Sequence, residues 1–138
     1  MPAKTYDLLI VDDQAGVRRF LAEAFSEEGY RVEVACSGGE AVRKASARRP
    51  SLVLLDIKMP GMNGLETLEE LRKIAPGVPV VMMTAYGELD IVTEAKKRGV
   101  KNYINKPFDL SEVRCLVKEL LITGEDRMIT RKEIGNPA

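Results

Sequence analysis

The chain contains no histidine and no tryptophan, only two cysteines, and no excess of charge of either sign. Each absence removes a class of function. Without histidine, Ser-His-Asp and Cys-His nucleophilic schemes and His-ligated metal sites are closed to the chain acting alone, so chemistry must come from carboxylates, hydroxyls, lysines or backbone. Cys36 and Cys115 lie far apart and lack metal-ligand spacing; they read as small apolar fillers in a reducing compartment. With 21 Lys plus Arg against 21 Asp plus Glu and no long basic run, the chain is not expected to hold nucleic acid directly. Long hydrophobic runs are missing too. The stretch Leu8-Leu9-Ile10-Val11 is too short for a signal-peptide core, and nothing approaches the roughly 20 apolar residues of a membrane span. The expected location is the cytoplasm, without membrane contact.

What is present is an alternation of two patterns within 138 residues, a length that suits one domain. Three continuous apolar runs, Leu8-Leu9-Ile10-Val11, Leu52-Val53-Leu54-Leu55 and Val78-Pro79-Val80-Val81-Met82-Met83, suit strands buried on both faces. Arg31-Val32-Glu33-Val34-Ala35-Cys36 alternates and Lys101-Asn102-Tyr103-Ile104 is short and half polar, so these two fit sheet edges.

Helical stripes lie between the strands. Val17, Phe20, Leu21, Ala24 and Phe25 form the first, stopped by Gly29; Ala41, Val42 and Ala45 a slighter second; Leu65, Leu68, Leu71 and Ile74 a third, ended by Pro76-Gly77. Ile91, Val92 and Ala95 give the weakest. Asp109 and Glu112 read as a capping box opening a last helix with Val113, Leu116, Val117, Leu120 and Leu121.

Five strand-helix units predict a doubly wound α/β fold: a five-stranded parallel sheet with helices on both faces. The flavodoxin-like order 2-1-3-4-5 puts the two mixed strands at the edges, whereas 3-2-1-4-5 would expose the strongly apolar third strand. Residues 1–121 form the expected domain, and 122–138 a polar tail or the start of a linker.

In such a sheet the site lies beyond the carboxyl ends of the strands. Asp12 and Asp13 fall there after strand 1, Asp56 after strand 3, Thr84 after strand 4 and Lys106 after strand 5. Singly, each could be a turn or capping residue. Together they place three mutually repelling carboxylates on one edge, which a hard divalent cation with oxygen ligands and the Lys106 ammonium would offset. A carboxylate nucleophile, a metal, a lysine and a threonine are the parts of a site that forms an aspartyl phosphate.

Across residues 5–121 the chain resembles the receiver domain of two-component response regulators. The resemblance is carried by Val11-Asp12-Asp13, by Leu54-Leu55-Asp56-Ile57-Lys58-Met59-Pro60-Gly61-Met62-Asn63-Gly64, by Met83-Thr84-Ala85 and by Asn105-Lys106-Pro107-Phe108. Val11-Asp12-Asp13-Gln14, Met83-Thr84-Ala85-Tyr86-Gly87-Glu88-Leu89-Asp90 and Lys106-Pro107-Phe108-Asp109 look most like single-domain phosphorelay regulators of the sporulation type.

The resemblance implies that Asp56 accepts phosphate from a phosphohistidine on a sensor histidine kinase or a histidine phosphotransferase. Asp13, Asp56 and the backbone carbonyl of Lys58 would hold Mg²⁺, or Mn²⁺ in its place, with Asp12 acting through water. Lys106 and Thr84 would contact phosphoryl oxygens, and Tyr103 matches a switch aromatic that follows Thr84, although it equally suits an edge-strand aromatic packing on a helix. The Lys106-Pro107 bond is expected to be cis, and Gly64 to serve backbone geometry before the third helix. Lys58 and Tyr86 sit where they could shield the phosphoryl group from water.

Phosphorylation adds charge and acceptor oxygens that can bias a two-state element, and the sparse fourth helix with the 84–87 loop is the expected responder. Gln14, Ala15, Arg18, Pro107 and Phe108 are the expected partner face for a helical bundle. The chain is expected to be a monomeric signalling phosphoacceptor, not an enzyme acting on small substrates. A single-domain phosphorelay intermediate is favoured, with the alternative of a receiver fragment of a larger regulator with a DNA-binding or other output domain. A hydrolase would need an added acid/base and a substrate cap, and a nucleotide-binding module a GxGxxG or Walker motif; neither is present.

Overall fold

The computed structural model describes residues 6–85 and 89–123. Strands β1 (Tyr6–Val11), β2 (Val32–Ala35), β3 (Pro50–Asp56), β4 (Val80–Ala85) and β5 (Asn102–Lys106) alternate with helices α1 (Ala15–Glu27), α2 (Gly38–Ala47), α3 (Gly64–Ile74), α4 (Leu89–Lys97) and α5 (Leu110–Thr123). All four pairings are parallel and the order is β2-β1-β3-β4-β5. The apolar runs thus occupy the centre, where both faces of each strand are covered, and the mixed strands take the edges.

The sheet separates two cores. On one face Leu9, Val11, Val53, Leu55 and Met82 pack with Ala41 and Ala45 of α2, Leu68 and Leu71 of α3 and Ala95 of α4. On the other, Leu8, Ile10, Leu52, Leu54, Val81 and Met83 meet Leu21 and Phe25 of α1 and Val113, Val117 and Leu120 of α5. The β-strand period of two sends successive side chains to opposite layers.

Several expectations are corrected. Phe20 is 50% exposed, because the buried stripe of α1 is the narrower set Leu21, Ala24 and Phe25. Ile74 is 40% exposed at the last residue of α3, beyond the buried Leu71. Cys36 and Cys115 are exposed free thiols instead of core fillers, one directly after the edge strand β2 and the other on the outer side of α5. Val78 and Pro79 precede β4, although the Pro79 carbonyl still accepts from Val53 N at 3.1 Å. β1 starts at Tyr6, ahead of the apolar run, because Tyr6 pairs with Pro50. Asp109 does cap α5, but its Oδ1 accepts from Ser111 N at 3.0 Å, and no return bond from Glu112 forms among the described residues. α5 runs to Thr123; Tyr86 and residues 124–138 lie outside the described residues.

Where glycine matters the reasons differ. Gly29 follows α1 with φ of 95°, a left-handed conformation that side chains disfavour, which explains the helix stop. Gly64 has no such φ; a Cβ there would lie 2.5 Å from Ile57 Cα, so α3 begins in contact with the loop that follows β3.

Candidate functional site

Pairing of Val11 with Leu55 sets the ends of β1 and β3 side by side, so Asp12 and Asp13 emerge beside Asp56. One oxygen from each of the three carboxylates lies within 4.8 Å of the others. Asp12 is fully buried, Asp56 is 5% exposed and Asp13 is exposed. Lys106, the last residue of β5, reaches across the sheet edge, three strands from β1 and two from β3: its Nζ stands 2.7 Å from Asp12 Oδ2 and 3.5 Å from Asp56 Oδ2. One ammonium therefore contacts two of the three carboxylates.

Burial pushes the Asp56 carboxyl up to about 6, and the charges of Asp12 and Asp13 push the same way; Lys106 and the Lys58 N–H, 3.3 Å from Asp56 Oδ1, oppose without prevailing. For Lys106, burial pulls the ammonium pKa down, but the hydrogen bond to Asp12 and the charges of Asp56 and Asp12 outweigh it, and the net shift is upward. The lysine stays charged, and the site carries surplus negative charge once Asp56 ionises.

The donor set fits a hard divalent cation. Asp12 has both oxygens engaged by protein, Oδ1 accepting from Gln14 N at 2.8 Å and Oδ2 from Lys106. Asp13 and Asp56 instead line an open cleft of about 490 Å³ with Gln14, Lys58, Met59, Pro60, Ala85 and Lys106. A cation in this cleft would meet Asp13 and Asp56 directly, with Asp12 behind them.

Thr84 is 3% exposed and comes from β4, but its hydroxyl donates to Asn105 Oδ1 at 3.1 Å. Sequence reading overlooked Asn105, because its position opposite Thr84 depends on the β4–β5 register. Tyr103 is half-buried against the core layer of α2, α3 and α4; its hydroxyl donates to Val100 O at 2.8 Å and Lys96 Nζ lies 5.7 Å from its ring centroid. Lys58 is exposed at the cleft. The Lys106-Pro107 bond is cis, as expected.

Of the expected partner face, Gln14, Ala15 and Pro107 are exposed. Phe108 is half-buried, with its ring stacked on Phe20 at 6.3 Å between centroids. Phe20, misplaced in the core by the helical period, thus joins this rim. Arg18 is half-buried; its Nη1 donates to Asp12 O at 2.8 Å and braces the loop after β1.

Residues 8–118 match the response regulator receiver domain family. The chain is 46% identical over 114 residues to sporulation initiation phosphotransferase F of Bacillus subtilis, covering 83% of this chain and 92% of that protein. It is 40% identical to the regulatory protein AtoC of Escherichia coli over 83% of this chain but only 25% of AtoC. The receiver domain of NtrX from Brucella abortus superposes with a TM-score of 0.79 at 33% identity, over 86% of this chain and 100% of that one. With its sheet order, its acid cluster and a match spanning most of its length, the chain belongs to the response regulator receiver domain family.

Proposed function

We propose that this receiver domain takes a phosphoryl group onto Asp56 from a phosphohistidine of a histidine kinase or phosphotransferase, and that it serves as a single-domain phosphorelay intermediate. The observation that carries the proposal is the charge arrangement: a buried Asp56 beside two further carboxylates, with the Lys106 ammonium 2.7 Å from Asp12 and 3.5 Å from Asp56. In the transfer, an Asp56 carboxylate oxygen attacks phosphorus, the phosphorus–nitrogen bond breaks, and the imidazole nitrogen keeps the electron pair. Nothing is oxidised or reduced, and no proton must come from this chain.

Transfer places charge on the phosphoryl oxygens, so catalysis is chiefly electrostatic positioning. Mg²⁺, held by Asp13, Asp56 and the Lys58 carbonyl, would supply neutralisation of that charge. Lys106 supplies a second positive group, freed from Asp56 as the carboxylate becomes an acyl phosphate. Asp12 keeps Lys106 aimed at the cleft, and Arg18 keeps Asp12 in place through its carbonyl. Thr84 donates to a phosphoryl oxygen once it leaves Asn105, and Tyr103 follows. Lys58 shields the mouth of the cleft from water. The exposed rim of Gln14, Ala15, Pro107 and the Phe20–Phe108 pair receives the partner's helical bundle. The reading includes a cytoplasmic, monomeric state, and among the described residues no helix is long and apolar enough to cross a membrane.

The phosphorelay reading draws on similarity to the sporulation phosphotransferase over 92% of that protein. A second reading, a receiver that governs an attached output domain, draws on AtoC, of which the chain covers a quarter. Incubation with Mg²⁺ and acetyl phosphate tests the first step: an acid-stable, base-labile gain of one phosphoryl group is expected, absent in Asp56→Ala. Mixing the phosphorylated chain with a histidine phosphotransferase distinguishes the two readings, since an intermediate hands the group on within seconds to minutes while a terminal receiver retains it.

A further inference from the structure

In the parallel pairing of β4 with β5, Thr84 lies opposite Asn105 and Met82 opposite Tyr103. Residues paired across a sheet, and residues two apart along a strand, share a face. Asn105 therefore stands between Thr84 and Tyr103, on the face whose Met82 and Tyr103 belong to the core layer of α2, α3 and α4. Its side chain accepts the hydroxyl proton of Thr84 at 3.1 Å. A threonine hydroxyl has one proton to donate, so while it points at Asn105 it cannot also donate to an oxygen on Asp56.

We propose that Asn105 is a positioning residue for Thr84: it holds the buried hydroxyl in its resting place, and occupancy of the phosphoryl position breaks this bond. The proposal rests on the reading of Asp56 as phosphoacceptor and adds a residue that sets how readily the switch is thrown. Asn105 is solvent-exposed, whereas Thr84 is 3% exposed. Loss of the amide thus leaves the hydroxyl buried without an acceptor, a cost borne by the resting state alone. A phosphoryl oxygen then provides the missing acceptor, and the equilibrium moves toward the occupied form.

The test is titration of the full chain with beryllofluoride, a phosphoryl mimic, in saturating Mg²⁺, followed by amide chemical shifts. Asn105→Ala is expected to tighten beryllofluoride binding by roughly twofold to tenfold, the factor attached to one ordinary hydrogen bond. Asn105→Gln, which carries the amide out of reach by one methylene, should move binding in the same direction. In a Thr84→Ala background the Asn105 substitution should have no further effect, because there is no hydroxyl left to hold. Mg²⁺ affinity without beryllofluoride should stay within about twofold, which a general loosening of the site would not allow. Unchanged or weaker binding in both Asn105 variants, or a gain that persists without the Thr84 hydroxyl, overturns the proposal. Failure of the wild-type chain to take up beryllofluoride would instead overturn the phosphoacceptor reading beneath it.

Discussion

At the scale of residues, Asp56 is a carboxyl whose environment disfavours its charge. Its pKa in the folded, metal-free protein is about 6 against an ordinary 3.8, so the folded state binds its proton more tightly than the unfolded chain does. Stability owed to Asp56 is therefore full below about pH 4 and is lost as pH rises through about 6. In a chelator, Asp56→Asn should stabilise the domain at pH 7.5 by up to roughly 3 kcal/mol, and the gain should vanish toward pH 4. Urea unfolding across that range measures it, and a gain independent of pH would contradict the assignment.

Lys106 is the counterpart. Its removal leaves Asp12, which is fully buried, without a charge partner. Lys106→Met should cost roughly 3 kcal/mol in metal-free buffer, by the usual penalty for breaking a buried pair, and added Mg²⁺ should recover part of it. Asp12 and Asp56 were legible in the sequence because each directly follows an apolar run, and Asp13 because it adjoins Asp12. Asn105 was not, because its importance depends on a partner 21 positions away in sequence, across the sheet.

At the scale of elements, the loop from β3 into α3 carries the local devices that fix where α3 begins. Asn63 Oδ1 accepts from Glu66 N at 3.0 Å while Glu66 Oε1 accepts from Asn63 N at 2.9 Å, a complete capping box. This box sits at the end of the loop motif, where Asn63 and Glu66 have the right spacing; the one read at Asp109 and Glu112 forms only its single Asx bond. Asn63→Ala should lower stability by about 1 kcal/mol. Gly64→Ala should cost more, roughly 1–3 kcal/mol, because its Cβ would meet the Ile57 backbone rather than a movable side chain. Denaturant midpoints for the two variants order these effects, and an equal or reversed order would refute the close-approach argument.

Helix periodicity located all five helices but misjudged two of their faces. A stripe of i, i+3, i+4 residues spans more of the helix surface than a two-layer packing covers, so Phe20 fell outside. Helix α4 was legible as sparse: among its described side chains Ala95 is buried, and Ile91 and Val92 are half-buried. Arg98, just past its end, adds an ion pair to Glu69 of α3 and another to Glu94 of α4 itself.

At the scale of the molecule, sheet order was readable because burial on both faces and burial on one leave different patterns along a strand. The rim was readable only in part. Gln14, Ala15 and Pro107 are exposed as expected, but the Phe20–Phe108 stack is a tertiary contact between the first helix and the loop after the last strand. Ala15→Glu, which sets a charge on this rim, should slow phosphotransfer from a histidine phosphotransferase by about tenfold or more without moving the unfolding midpoint. Stopped-flow or gel-based transfer assays would show it, and an unchanged rate would remove Ala15 from the partner face.

The sheet that divides the two cores also divides what each can be altered to do. Leu21 and Phe25 of α1 have no part in the layer that holds Tyr103 and Ala95, and the reverse holds for those residues. Substitutions in the two layers should therefore combine additively in stability, as separated sites do. The α1–α5 layer and the α2–α3–α4 layer can then diverge along separate lines of descent, each repacked without a compensating change in the other.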